Sequence, residues 1–354
     1  MKVLFFGTSA HSVVFLETLV TVPGIRVLGV VSPVTGRRKE RTALKRLRWA
    51  AGDSLMALSA RTPWGEKSSN VRQQLQTLAT QAGVPIWWPP DVNDPAFVAQ
   101  LARLGADLIV MGSFCQILKA PLLEKLPPVL NIHPTLLPNY RGPMPPFWII
   151  ANGERESGVT LHWVDGGVDT GPVLAREKFI VEPWLTGGEY ADRADEVGAR
   201  LLARVLQGLR PGDVGRGDKQ QGEGSYQGAV KPADLVVPCD APWKVAYDRA
   251  RAAAPFRRLT LHVPATLWLG ETWRGQASTA GGPNLMEVEL SDAVPVAEHQ
   301  PMPARWVERT PERGLYVQCQ GGGVLFRKVT SAGRALVQTS QTSPAPEPKQ
   351  KRAA

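Results

Sequence analysis

The sequence predicts an α/β domain built on a parallel sheet, followed by a smaller region that is mostly β. Two observations carry this. From Lys2 to Leu209, short apolar runs alternate with stretches of helical periodicity, as in a parallel sheet covered by helices on both faces. A Gly-, Asp- and Gln-rich stretch follows at 210–229, and beyond it short strand-like runs with Gly- and Pro-rich turns take over.

Taken in order, Lys2–Phe6, Ile25–Val31, Val84–Trp88, Asp107–Met111 and Val129–Ile132 read as strands. Ser12–Val22, Val71–Gln81 and Ala96–Leu104 read as the helices between them. Gly7-Thr8-Ser9 makes a ligand-facing turn after the first strand, but it is not G-x-G-x-x-G and predicts no dinucleotide site. Val159–Val164 alternates weakly and reads as a further strand, and the Ala-, Arg- and Leu-rich run Gly187–Leu209 as the helix closing the first domain. Beyond it, Ala246–Ala254 reads as helix, and Leu259–Val263, Thr266–Leu269, Leu285–Leu290, Gly314–Gln318 and Val324–Val329 as short strands of a barrel or meander. The expected boundaries are a first domain at 1–208, a linker at 209–230 and a mostly β domain at 231–335. A disordered tail is expected at 336–354, which is rich in Ser, Thr, Pro, Gln and Lys.

Composition narrows the class. A chain of 354 residues with 43% hydrophobic and 21% charged residues reads as a soluble globular protein of two domains. No secretory segment is visible and no run approaches 18 apolar residues, so no membrane association is expected. Cys115, Cys239 and Cys319 are scattered, which suggests neither a disulfide framework nor a zinc site and fits a reducing cytoplasm. The net charge of +9 points to a polyanionic partner. Much of it lies at 37–48, where seven basic side chains, Arg37, Arg38, Lys45 and Arg46 among them, face one acid. Leucines at helical spacing make this an amphipathic helix, with either a solvated basic face or a phosphate-contacting one.

The chemistry is concentrated in Asn131-Ile-His133-Pro-Thr135-Leu136-Leu137-Pro138-Asn-Tyr-Arg141-Gly142, followed by Asp165-Gly-Gly-Val-Asp169-Thr-Gly171. Asn131 and His133 are two apart on a strand and share a face. Pro134 ends the strand, so His133 stands where a parallel sheet presents its ligand crevice. The interval to Asp169 holds a strand, a loop with a helix and a second strand, which returns a carboxylate to the imidazole. Acyl transfer to an amine needs a donor for the developing oxyanion, a base titrating near neutrality and a partner to orient that base. Asn131, His133 and Asp169 offer these three. A structural histidine beside a structural asparagine, with Asp169 merely shaping a turn, is the other reading of the same residues.

The full motif resembles the 10-formyltetrahydrofolate-dependent formyltransferase family. Lys2–Thr8, Ser113–Leu118 and Ser157–Thr160 add to the likeness, which covers residues 1–208. The resemblance implies a Rossmann-like catalytic domain with Asn131, His133 and Asp169 catalytic. It implies 10-formyltetrahydrofolate as co-substrate, contacted by Thr135, Leu136, Leu137 and Pro138, with no metal. The second region is similar to the barrel-like C-terminal domain of the family's methionyl-tRNA branch. That branch implies initiator methionyl-tRNA as acceptor, with Arg141 and the basic helix (Arg37, Arg38, Lys45, Arg46) as its contacts and no obligatory protein partner. The chain departs from the branch after Arg141-Gly142, where Pro143-Met-Pro-Pro-Phe-Trp148 stands, and through a longer segment at 35–70. A small amine, such as a nucleotide-linked amino sugar, is the alternative acceptor. A protein that binds RNA or folate without turnover is the third reading.

Overall fold

The central strands of the first sheet are apolar runs buried on both faces. In the computed structural model, β1 (Lys2–Phe6), β4 (Leu108–Gly112) and β5 (Val129–His133) lie side by side, almost wholly buried. The structure describes residues 1–33, 63–210, 213, 215–255, 257–264, 273–276, 285–296, 306–310 and 314–335. The basic segment with Arg37, Arg38, Lys45 and Arg46, the strand expected at Thr266–Leu269 and the tail at 336–354 lie outside the described residues. Among the described residues no helix is long and apolar enough to cross a membrane.

With β2 (Arg26–Val31), β3 (Ile86–Trp87), β6 (Glu156–Trp163) and β7 (Val173–Ile180), the sheet has the order β3-β2-β1-β4-β5-β6-β7. The first five strands are parallel, β6 runs antiparallel to β5, and β7 runs antiparallel to β6. The expected Rossmann-like class holds, with a mixed sheet in place of a purely parallel one, because apolar patterning carries no strand direction. The chain leaves β1 toward β2 on one side and returns to β4 on the other. This switch opens a crevice beyond the C-terminal ends of β1 and β4.

Of the expected helices, α1 (Ala10–Thr21) forms with small shifts at its ends, α2 (Pro63–Gln81) starts eight residues before the expected Val71, and α3 (Pro95–Ala102) again shifts little. Of two short helices, α4 (Ala120–Leu123) was not foreseen, and α5 (Pro145–Ala151) is the helix expected in the interval between His133 and Asp169. Both begin at or near a proline, which fits a first helical turn because its missing N–H has no partner to lose there. The long α6 (Gly187–Gly208) starts at a capping box between Thr186 and Glu189. It buries Tyr190, Ala194, Val197 and Leu201 along one stripe and packs on α1 and β6.

Two compact units emerge: 1–235 with 248–258, and 236–247 with 259–354. Residues 209–230, expected to be a linker, belong to the first unit. From Arg216 to Gly228 they lie against the loops after β5 and β6, as described below. Helix α7 (Trp243–Ala253) contributes to both units. In the second unit β8 (Leu259–Pro264), β9 (Trp273–Gln276), β10 (Leu285–Val296), β11 (Trp306–Thr310), β12 (Gly314–Cys319) and β13 (Gly322–Ala335) form one antiparallel sheet, in the order β8-β10-β13-β12-β11-β9. The mostly β character expected there is present.

Candidate active site

Asn131 and His133 occupy alternate positions of the fully buried β5, so their side chains leave the same face. Antiparallel pairing puts His162 of β6 directly opposite Asn131 and Thr160 opposite His133. The chain leaves β6 beside Val129, where the Val164 N–H donates to the Val129 carbonyl at 2.8 Å. It then doubles back, and Asp169 at its crest (φ +54°) reaches the Asn131–His133 pair. Asp169 therefore arrives on a loop rather than from a second strand end.

The Asp169 carboxylate is shared. Its Oδ2 accepts the Gly142 N–H at 2.9 Å and stands 3.6 Å from His133 Nδ1. Its Oδ1 is 3.5 Å from both Asn131 Nδ2 and His162 Nε2. Burial pushes the carboxyl up, but the His162 ring, the charge that His133 can carry and the Gly142 N–H outweigh it and hold it at about 2.

The sequence reading gives Asp169 the task of setting the His133 tautomer, and the geometry corrects this. His133 Nε2 lies 2.9 Å from the Tyr140 carbonyl, which can only accept, so Nε2 carries the hydrogen. A neutral ring then keeps its lone pair on Nδ1, facing Asp169. The net shift of the His133 pKa is downward. Burial lowers it most, and the opposing pull of Asp169 and the Tyr140 carbonyl does not make up the loss. Burial thus favours the neutral His133 ring.

These groups line a cleft of about 680 Å³. Its lining includes Met111, Phe114, Ile117, Val168, Phe15 and Phe147. Of the turn Gly7-Thr8-Ser9, Thr8 and Ser9 line the cleft. His11 Nδ1 meets Asp195 Oδ2 at 2.5 Å, a polar pair in a largely apolar wall.

Thr135, Leu136, Leu137 and Pro138, expected to touch folate, are not among the residues that line the cleft. Thr135 and Leu137 are buried supports: the Thr160 hydroxyl donates to the Thr135 carbonyl and accepts the Leu137 N–H. Their rigidity fixes the loop that follows His133. Arg141, expected to order its loop or to contact the acceptor, is also off the cleft and donates to Gln220 Oε1 at 2.8 Å. Gln220 Nε2 in turn donates to the carbonyls of Asp169 and Gly171. Arg141, Gln220 and the Asp169 loop thereby form one clamp.

Sequence reasoning missed His162 and Gln220. His162 sits inside an apolar strand, and its one signal was the alternation Thr160-Leu-His162, which puts it on the Thr160 face. Gln220 lies in a stretch whose composition reads as linker.

Residues 50–206 match the profile of the family described as "Formyl transferase". A methionyl-tRNA formyltransferase of Symbiobacterium thermophilum is 30% identical over 337 residues, covering 95% of this chain and 89% of that protein. The enzyme of the same name from Trichlorobacter lovleyi is 30% identical over 261 residues, 73% of this chain and 75% of that one. Among solved structures, the N-formyltransferase of Helicobacter canadensis in complex with folinic acid and dTDP-3-aminofucose superposes with a TM-score of 0.58. It has 16% identity, covering 93% of this chain and 100% of that one, and so speaks to fold. The family profile and these relatives define a group-transfer enzyme. The chain belongs to the folate-dependent formyltransferase family and is a formyltransferase.

Proposed function

We propose that this enzyme moves the formyl group of 10-formyltetrahydrofolate to the amino group of initiator methionyl-tRNA. The observation that carries the acceptor is the reach of the likeness: 95% of the chain, the second unit included, matches a methionyl-tRNA formyltransferase. The net charge of +9 suits a polyanionic acceptor. The reading implies a cytoplasmic enzyme in translation initiation.

In this reading the formyl carbon lies in the cleft beside Asn131 and His133. The acceptor nitrogen attacks it, and the carbonyl oxygen takes the electron pair. An Asn131 N–H stabilises that oxyanion. The amine's proton passes to His133 Nδ1, the nitrogen not engaged with Tyr140, and the imidazolium so formed is held by Asp169. Collapse of the adduct breaks the bond to the folate nitrogen, which takes the proton, and tetrahydrofolate leaves. Replacing Asn131 with Ala should lower kcat about 10²- to 10³-fold, about 3–4 kcal/mol of transition-state stabilisation. His133→Ala and Asp169→Ala should cost several kcal/mol each. Near-normal turnover in any two of the three variants would end the assignment.

A small amine acceptor is the second reading, and one feature favours it. A methionyl side chain asks for an apolar pocket, whereas the His11–Asp195 pair offers hydrogen-bonding groups on the cleft wall. If the acceptor is a hydroxyl-bearing amine, Asp195→Ala should raise its KM; an unchanged KM counts against this second reading.

A further inference from the structure

We infer that His162 is a positioning residue that holds the Asn131 carboxamide with its nitrogen end toward the reacting carbonyl. The inference rests on the proposed role of Asn131 as oxyanion donor. A carboxamide has two ends of nearly equal size and opposite chemistry, and only the NH₂ end can donate to an oxyanion. Rotation about the terminal torsion swaps them, so a donor role needs something that tells the ends apart.

The surroundings of His162 supply it. Its Nδ1 lies 3.0 Å from the carbonyl of Trp163, which only accepts, so Nδ1 carries a hydrogen. In the neutral ring Nε2 is therefore a lone pair. That lone pair stands 3.0 Å from Asn131, and the atom that satisfies it must be the amide nitrogen. Hydrogen bonds of fixed direction thus run from Asn131 Nδ2–H to His162 Nε2, and from His162 Nδ1–H to the main chain. His162 accepts one of the two amide hydrogens. The other faces Asp169 Oδ1 at 3.5 Å, too long for a strong hydrogen bond, and is available to the substrate oxygen.

Asp169 alone would not do this, because at 3.5 Å on a loop it is a long partner, whereas His162 is pinned by the strand pairing that sets it opposite Asn131. His162 is only 1% exposed, so water does not compete for the lone pair. The His133 ring stands edge-on at 6.3 Å between centroids and offers no alternative partner. His162 does not line up as a second base, since Nε2 is occupied and Nδ1 is bound to backbone.

The test is steady-state kinetics of four full-length variants with 10-formyltetrahydrofolate and the acceptor that the wild type formylates: His162→Leu, His162→Gln, Asn131→Ala and the Leu/Ala double variant. His162→Leu removes the acceptor at similar volume and should lower kcat on the order of 10- to 100-fold with both KM values near wild type. His162→Gln, whose Oε1 can accept the same N–H, should recover most of kcat. In the Asn131→Ala background, His162→Leu should cost nothing further. Wild-type kcat in His162→Leu, or the same loss with and without Asn131, would overturn the inference. Should His162→Leu not fold, equal kcat in His162→Gln and Asn131→Ala would overturn it, and a clearly higher value in His162→Gln would support it. A wild-type kcat in Asn131→Ala would instead overturn the role of Asn131 itself, and with it this inference.

Discussion

At the residue scale, the pH dependence of turnover follows from two opposed environments. Burial holds His133 below its ordinary value of 6.5, and polar neighbours hold Asp169 down at about 2. Catalysis by a neutral imidazole should be undiminished at neutral pH and fall as pH drops through a value below 6.5. Asp169 raises the His133 pKa, so Asp169→Asn should move that acidic limb to still lower pH, beyond any loss of rate. A kcat–pH profile of the two proteins checks this, and a limb that moves up would contradict it. Stability follows the same sign: with folded pKa values below the unfolded ones, both groups stabilise the fold above their ordinary values and lose that contribution as pH falls. That Asn131, His133 and Asp169 come together was legible because the first two share a strand face and the interval to Asp169 lets the chain return to them. The tautomer was not, because it depends on a main-chain carbonyl, that of Tyr140, whose direction no side-chain pattern encodes.

At the scale of elements, the site depends on a segment whose composition conceals it. From Arg216 to Gly228 the chain is tied to the loops around the site. The Trp163 indole donates to the Arg216 carbonyl, and Asp218 and Val173 exchange two main-chain hydrogen bonds. Arg141 N–H donates to the Ser225 carbonyl, and Gln227 N–H donates back to Arg141. Gly, Gln and Ser read as linker because such residues have few apolar contacts to offer, but here the backbone supplies the adhesion. Gln220→Ala should remove the bridge to Asp169, Gly171 and Arg141 and cost about 2–4 kcal/mol, at about 0.5–1 kcal/mol for each of the four hydrogen bonds lost. Thermal unfolding checks the stability, and kcat should fall with it because the Asp169 loop loosens. Gly142 is fixed by two demands: φ is +113°, and a Cβ would lie 2.1 Å from the Gln227 carbonyl. Gly142→Ala should therefore destabilise by at least about 1–3 kcal/mol. The missed strand β7 has a comparable cause. Its run Val-Leu-Ala-Arg-Glu-Lys-Phe-Ile is half charged in the middle because it lies at the sheet edge, with that part facing water.

At the scale of the whole molecule, fold class was legible because alternation of strands and helices has few solutions, while the antiparallel β6–β7 addition was not, since periodicity is blind to direction. That addition matters, because only antiparallel pairing of β6 brings His162 opposite Asn131. The acceptor also belongs to this scale. If it is tRNA, the +9 chain should bind it with a steep salt dependence. Reversing the charges of Arg37, Arg38, Lys45 and Arg46 should then weaken transfer to tRNA and leave transfer to a small amine unchanged, as single-turnover rates over a salt series would show. The most direct measurement is single-turnover formyl transfer from 10-formyltetrahydrofolate, with methionyl-tRNA and a panel of amino sugars offered separately. The account predicts efficient, salt-sensitive formylation of methionyl-tRNA that Asn131→Ala slows about 10²- to 10³-fold. Formylation of an amino sugar with none of methionyl-tRNA would contradict the proposed acceptor, and transfer to neither would contradict the proposed reaction.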